Sequence, residues 1–173
     1  MFRRSFLAVV GAVCASAIGA VGLAWATQTL PAPSGRVILS ISGNITTTNG
    51  ENVAAFDRSM LEGLTVTRIR TTTPWTEGVR EFEGVLARDL MALLGAEGTI
   101  VIATALNDYK VEIPVSDFVR YPVLLAISMD GVPLGIRDKG PVWIIYPQDD
   151  YAELNTETTQ HKWIWQLKSL HFS

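Results

Sequence analysis

Arg137-Asp138-Lys139-Gly140-Pro141-Val142-Trp143-Ile144-Ile145-Tyr146-Pro147 is the stretch on which this 173-residue chain turns. Val142 to Tyr146 is β-branched or aromatic at every position and is bounded by prolines. It therefore reads as a short core strand, too brief for a stable helix. With no alternation along it, both faces are expected to be covered. The loop before it is then held on something rigid. Arg137, Lys139 and the backbone N–H of Gly140 would be presented at fixed positions, as an anion or a polar heterocycle requires. Taken alone, the same loop reads more simply as a solvated surface turn.

Outward from this strand the pattern is mostly β. Toward the C-terminus, Gln148 to Gln160 lacks an apolar period and reads as a long loop. Lys162 to Phe172 then gives a last strand with Trp163, Trp165 and Leu167 on one face. Toward the N-terminus, Asp130-Gly131 is a tight-turn signal joining a strand over Val123–Met129 to an antiparallel return over Val132–Gly135. Thr99–Ala105 reads as a buried strand. Asn107-Asp108 turns the chain into the alternating Tyr109–Ile113, and Pro114 opens a helical turn through Asp117 and Phe118.

A helix is predicted over Val85–Leu94, with Leu86, Leu90, Leu93 and Leu94 on one side, Arg88 and Asp89 facing water, and Gly95 as its stop. Leu64–Thr71 is a strand running into Thr71-Thr72-Thr73-Pro74-Trp75. Before it, Asn52 caps a predicted helix from Val53 to about Leu61, ended by Gly63. Arg36–Ser42 alternates as a first strand. Short strands outnumber helices by about three to one, which predicts a strand-rich α+β domain with mixed sheets.

The first residues stand apart. Arg3 and Arg4 precede an apolar run from Phe6 to Leu23, and Ala24-Trp25-Ala26 is a small-residue cleavage pattern. Residues 1–26 read as a secretory signal peptide, and residues 27–173 as one exported domain that does not insert in a membrane. Cleavage removes Cys14, the one cysteine, and with it any disulfide or thiolate ligand. It also removes two of the 14 basic residues and none of the 17 acidic ones, so the formal charge goes from −3 to −5. Nucleic acid, which selects basic surfaces, is excluded as a partner.

Catalytic patterns are scarce. His161 and His171 are the two histidines, without a carboxylate at ligand spacing, and read as surface or sheet-edge residues. No Gly-x-Ser-x-Gly elbow or Gly-rich phosphate loop is present. What the residues offer is a place for a flat, hydrogen-bonding ligand. Trp75, Tyr109 and Trp143 supply stacking faces, Asn107 and Asp108 acceptors, and Arg70, Arg137 and Lys139 donors. A pterin would use all three kinds. Residue by residue, Trp143 and Tyr109 fit equally well as core and Asn107-Asp108 as a plain turn.

In series, Pro74-Trp75, Phe82-Glu83-Gly84-Val85-Leu86 with Asp89-Leu90, Asn107-Asp108-Tyr109, Ile113-Pro114 with Asp117, Leu125-Ala126 through Met129-Asp130-Gly131 with Leu134, Lys139-Gly140-Pro141 and Ile144-Ile145-Tyr146-Pro147 form an ordered set. This set resembles the molybdopterin-binding domain of the sulfite oxidase family over roughly residues 36–172. The resemblance implies a mixed α+β fold with curved sheets and a pterin site that includes Thr72. Those enzymes hold molybdenum through a cysteine near Arg70 to Thr72, where this chain has Arg-Thr-Thr, so molybdenum is not expected. Within the fold the chain is most similar to small exported proteins that lack the cysteine. These bind a reduced, tetrahydropterin-like ligand and engage the periplasmic sensor region of a membrane signalling protein, a cyclic-di-GMP enzyme or a sensor kinase. The implied role is a non-catalytic periplasmic sensor; the alternative is an exported molybdopterin-dependent oxidoreductase.

Overall fold

The computed structural model describes residues 30–173, so the expected signal peptide over 1–26 and the first residues of the expected domain lie outside the described residues. In chain order the strands and helices are Val37–Gly43 (β1), Val53–Asp57 (β2), Arg58–Glu62 (α1), Val66–Thr71 (β3), Arg80–Leu86 (β4), Ala87–Leu94 (α2), Ile100–Ala105 (β5), Lys110–Pro114 (β6), Val115–Arg120 (α3), Leu124–Met129 (β7), Val132–Pro133 (β8), Trp143–Ile145 (β9), Glu157–Gln160 (α4) and Leu167–Phe172 (β10). One sheet has the order β2-β1-β10-β5-β6. The other runs β3-β4-β7-β8, with β9 also pairing β7. β1 and β10 are parallel, and the other pairs are antiparallel. The domain is thus a strand-rich α+β one with mixed sheets.

The deciding stretch behaves as its composition demands. Val142 through Tyr146 are fully buried, and β9 lies against β7 with Leu125 opposite Ile144. Phe82 on β4 meets the Trp143 ring edge-on at 5.4 Å. Both sheets and α1, α2 and α3 contribute to one apolar core. A helix ends where expected at Gly95, whose left-handed φ of 56° is accessible to glycine without a Cβ penalty.

Five expectations are corrected. The helix over Val53–Leu61 is instead β2 followed by the short α1. Ala54 and Phe56 alternate inward, and the Asn49 side chain both donates to the Ala55 carbonyl and accepts its N–H, at 2.8 Å each. Asp57, not Asn52, is the N-cap, accepting the Met60 N–H at 2.9 Å. The helix starting at Val85 begins at Ala87, because residues 80–86 form β4 between β3 and β7. The loop over 148–160 holds a 3-10 turn at Ala152–Leu154 and α4, which Thr156 caps by accepting the Thr159 N–H. The last strand starts at Leu167, since Gln166 has a φ of 51° that breaks extension; Trp163 is buried while Trp165 is 38% exposed.

Candidate functional site

A cleft of about 540 Å³ opens where three loop regions meet, within the size range of small-molecule sites, about 300–1,000 Å³. Trp75 enters from the loop after β3. Ala105, Asn107 and Tyr109 come from the β5–β6 hairpin, and Glu157, Gln160 and His161 from α4 and its C-cap. Trp163, Ile164 and Trp165 come from the approach to β10. The aromatic wall is continuous. Trp75 lies 5.3 Å from Trp165, 5.9 Å from Trp163 and 6.3 Å from Trp143 between ring centroids, each tilted or edge-on. Such walls take a flat ring by stacking and edge contact.

The hairpin holds its polar residue in place by backbone geometry. Asp108 has a φ of 63°, and the Asn107 carboxamide oxygen accepts the Tyr109 N–H at 3.1 Å. This leaves the Asn107 NH₂ to donate elsewhere. Gln160 adds a second amide, and Glu157 with His161, one helical turn apart, adds an acceptor and an imidazole. At the edge, the Lys139 ammonium sits over Trp165 at 5.4 Å and over Trp143 at 5.7 Å. Beneath, Tyr146 stacks on Trp163 at 6.1 Å and donates its hydroxyl to Asp117 Oδ2 at 3.1 Å; Lys162 Nζ donates to the same oxygen at 2.7 Å. Burial, and then the Asp117 charge, push the Tyr146 phenol far above its ordinary range. This network braces the cleft floor.

Of the ten residues singled out from the sequence, Trp75, Asn107 and Tyr109 line the cleft together. Lys139 stands at its rim. Trp143 is wholly buried and its indole N–H is directed at the Trp163 carbonyl at 3.4 Å, so it supports the wall from behind. The others are elsewhere. Gly140 is buried and gives its N–H to the Gly135 carbonyl at 2.7 Å, so it has none to offer an anion. Asp108 is exposed and pairs with Lys168 at 3.2 Å. Arg70 is exposed on β3, an edge strand, and Arg137 is exposed in the 3-10 turn Ile136–Asp138.

Thr72 lies where the resemblance puts a cysteine. Its N–H and hydroxyl both donate to the Asp149 carboxylate, at 2.7 and 2.6 Å, and its hydroxyl oxygen accepts from Gln148 Nε2 at 3.0 Å. Thr71 and Thr73 are buried on either side.

Sequence reasoning missed the α4 face and the Trp163-Ile164-Trp165 segment. His161 and His171, read as surface or sheet-edge residues, are both exposed; His161 also lines the cleft, and His171 lies on the central strand β10, not an edge, and contacts Ser42 Oγ at 3.0 Å. The available signal was the Glu157–His161 spacing beside two tryptophans. Among the described residues no three His, Cys, Asp or Glu side chains gather as a metal set, and no helix is long and apolar enough to cross a membrane.

A search of curated proteins found no match to this chain. A family model described as "Oxidoreductase molybdopterin binding domain" matches residues 54–171, which takes in most of both sheets and every residue of the cleft.

Proposed function

Because the chain belongs to the oxidoreductase molybdopterin binding domain family, we propose that it uses the Trp75 cleft to hold the pterin half of such a ligand, as a reduced pterin without its metal. The observation that carries this reading is the contrast between the cleft and the adjoining strand end. The cleft offers an aromatic wall, with Asn107 and Gln160 amides for the polar edge of a bicyclic ring. The end of β3 offers hydroxyls where a soft metal wants a thiolate, and the Thr72 hydroxyl is already engaged by Asp149 and Gln148.

The residues therefore fit the ring and not the metal end. A molybdenum cofactor, when bound, supplies oxygen-atom transfer; Trp75, Trp165 and Tyr109 would contact its ring, and no thiolate in residues 30–173 would hold its metal. With hydroxyls in place of a thiolate at the end of β3, the function proposed is sensing. On this reading residues 1–26 direct export, and the loaded domain reports to the periplasmic region of a membrane signalling protein. A ligand can do that only by binding one conformation of the reporting surface better than another.

Titrating the protein with tetrahydropterin while following tryptophan emission tests the reading, since four indoles surround or support the cleft. Saturable quenching is expected; no saturation at millimolar ligand removes the proposal. Elemental analysis of protein from its native host separates the oxidoreductase alternative, for which stoichiometric molybdenum is the required result.

A further inference from the structure

A second concavity, about 320 Å³, lies on the other side of the Leu106-Asn107 turn from the aromatic cleft. Its lining includes Val37, Leu106, Ile136 and Pro141, with Arg36 and Lys168 beside them and no acidic side chain. Val37, Leu106 and Ile136 are 42%, 38% and 43% exposed, three of the seven exposed large aliphatics among the described residues. Three such side chains around one groove, flanked by cations, differ from the scattered apolar exposure of an ordinary surface.

The charges restrict what can lie there. Arg36 forms no ion pair among the described residues. Lys168 pairs only with Asp108, both more than half exposed, and an exposed pair is worth about 0–1 kcal/mol and is readily exchanged for another carboxylate. Two cations beside a groove of about 320 Å³ suit a short segment with a few carboxylates, whereas an anionic membrane or nucleic acid calls for a wider basic surface than this chain of net negative charge offers. An extended protein segment meets only the groove.

We propose that this groove docks an extended segment of a partner protein that alternates acidic and aliphatic residues. Arg36 and Lys168 take its carboxylates, and Val37, Leu106 and Ile136 its apolar side chains. Its lining residues are distinct from those of the aromatic cleft, so failure of the cleft to bind a pterin would leave this proposal standing.

Fluorescence anisotropy on the full-length protein tests this, using a labelled peptide pool in which aspartate or glutamate alternates with leucine or isoleucine. Saturable binding is expected, falling about tenfold in Arg36→Glu/Lys168→Glu and weakening with added salt, while a lysine-substituted pool stays unbound. Leu106→Ser, which alters no ion pair, should give a loss of similar size, and circular dichroism of each variant checks the fold. No saturable binding at millimolar peptide, equal binding by the charge-reversed variant, or preference for phosphatidylglycerol vesicles over the peptides would overturn the proposal.

Discussion

Thr72 grips Asp149 twice, its amide N–H 2.7 Å from Oδ2 and its hydroxyl oxygen 2.6 Å from Oδ1. The pairing ties the end of β3 to the segment after β9, with Gln148 and the Thr71 hydroxyl adding contacts alongside. The hydroxyl here does structural work that a thiol could not copy, being a stronger donor and acceptor. Thr72→Val should lower stability by about 1 kcal/mol and Thr72→Ser by much less, read as a shift in urea midpoint. In a double-mutant cycle with Asp149→Ala, the two losses should fall short of additive.

Acid should weaken the fold through Asp57. This buried carboxylate accepts from the Ser59 hydroxyl and the Met60, Gly35 and Ser34 amides, which hold its pKa well below the ordinary carboxylate range. A lowered folded-state pKa means the stabilisation is complete above the unfolded value near 4 and is lost as pH falls through the folded one. Wild-type thermal midpoints should therefore drop steadily below about pH 4. Asp57→Asn should melt lower at neutral pH and show a flatter acid limb.

Gly140 is needed for space. A Cβ there would lie 2.4 Å from the Leu134 carbonyl oxygen, a backbone atom that cannot swing aside. Gly140→Ala should cost about 1–3 kcal/mol, as overpacking does, seen as a lower denaturant midpoint. Gly78 has a positive φ but an open surround, so Gly78→Ala should cost only its backbone strain, about 1 kcal/mol.

The contrast between Gly140 and Lys139 also shows which parts of the site were legible in the sequence. Strand positions with uniform burial or clean alternation, such as Val142–Tyr146 and Lys110–Pro114, carry their pattern locally. So did the hairpin turn that carries Asn107 and Tyr109. The β2 and β4 strands did not, because their pairing depends on Asn49 and on β3 and β7, which no short window contains. Gly140 was expected to donate its N–H to a ligand, yet that donor is consumed by Gly135, a contact set by the loop's closure. The α4 face of the cleft was missed because one turn of helix is too short to establish a period.

Trp75 should matter more for binding than for folding, being only partly buried while touching Trp143, Trp163 and Trp165. Aromatic contacts of this kind contribute about 0.5–1.5 kcal/mol beyond area burial, so Trp75→Ala should weaken tetrahydropterin binding about tenfold, with Trp75→Phe in between. Calorimetric titration checks this independently of the tryptophan signal that the substitution removes. Unchanged affinity in Trp75→Ala would place the ligand elsewhere.

Cleft and groove share walls through Gln166. Its side-chain amide donates to the Ile136 carbonyl at 2.6 Å and its N–H to the Lys139 carbonyl at 2.8 Å, while its own carbonyl accepts the Leu106 N–H at 2.9 Å. Ile136 and Leu106 line the groove. Lys139 lies over Trp165 at the cleft rim, and Asn107 lines the cleft one residue beyond Leu106. A ligand that shifts Trp165 or Asn107 is therefore expected to move both groove walls. Coupling between two sites is reciprocal, so saturating tetrahydropterin should change affinity for the acidic-aliphatic peptides by the same factor that the peptides change affinity for tetrahydropterin. Typical coupling of 1–3 kcal/mol corresponds to about 5–150-fold. Gln166→Ala removes the side-chain link to Ile136 but keeps both backbone contacts, so it should reduce the coupling factor while leaving each separate affinity within about twofold. Anisotropy titrations with and without tetrahydropterin, on both proteins, measure all four affinities. An equal coupling factor in wild type and variant would rule out this route between the two sites.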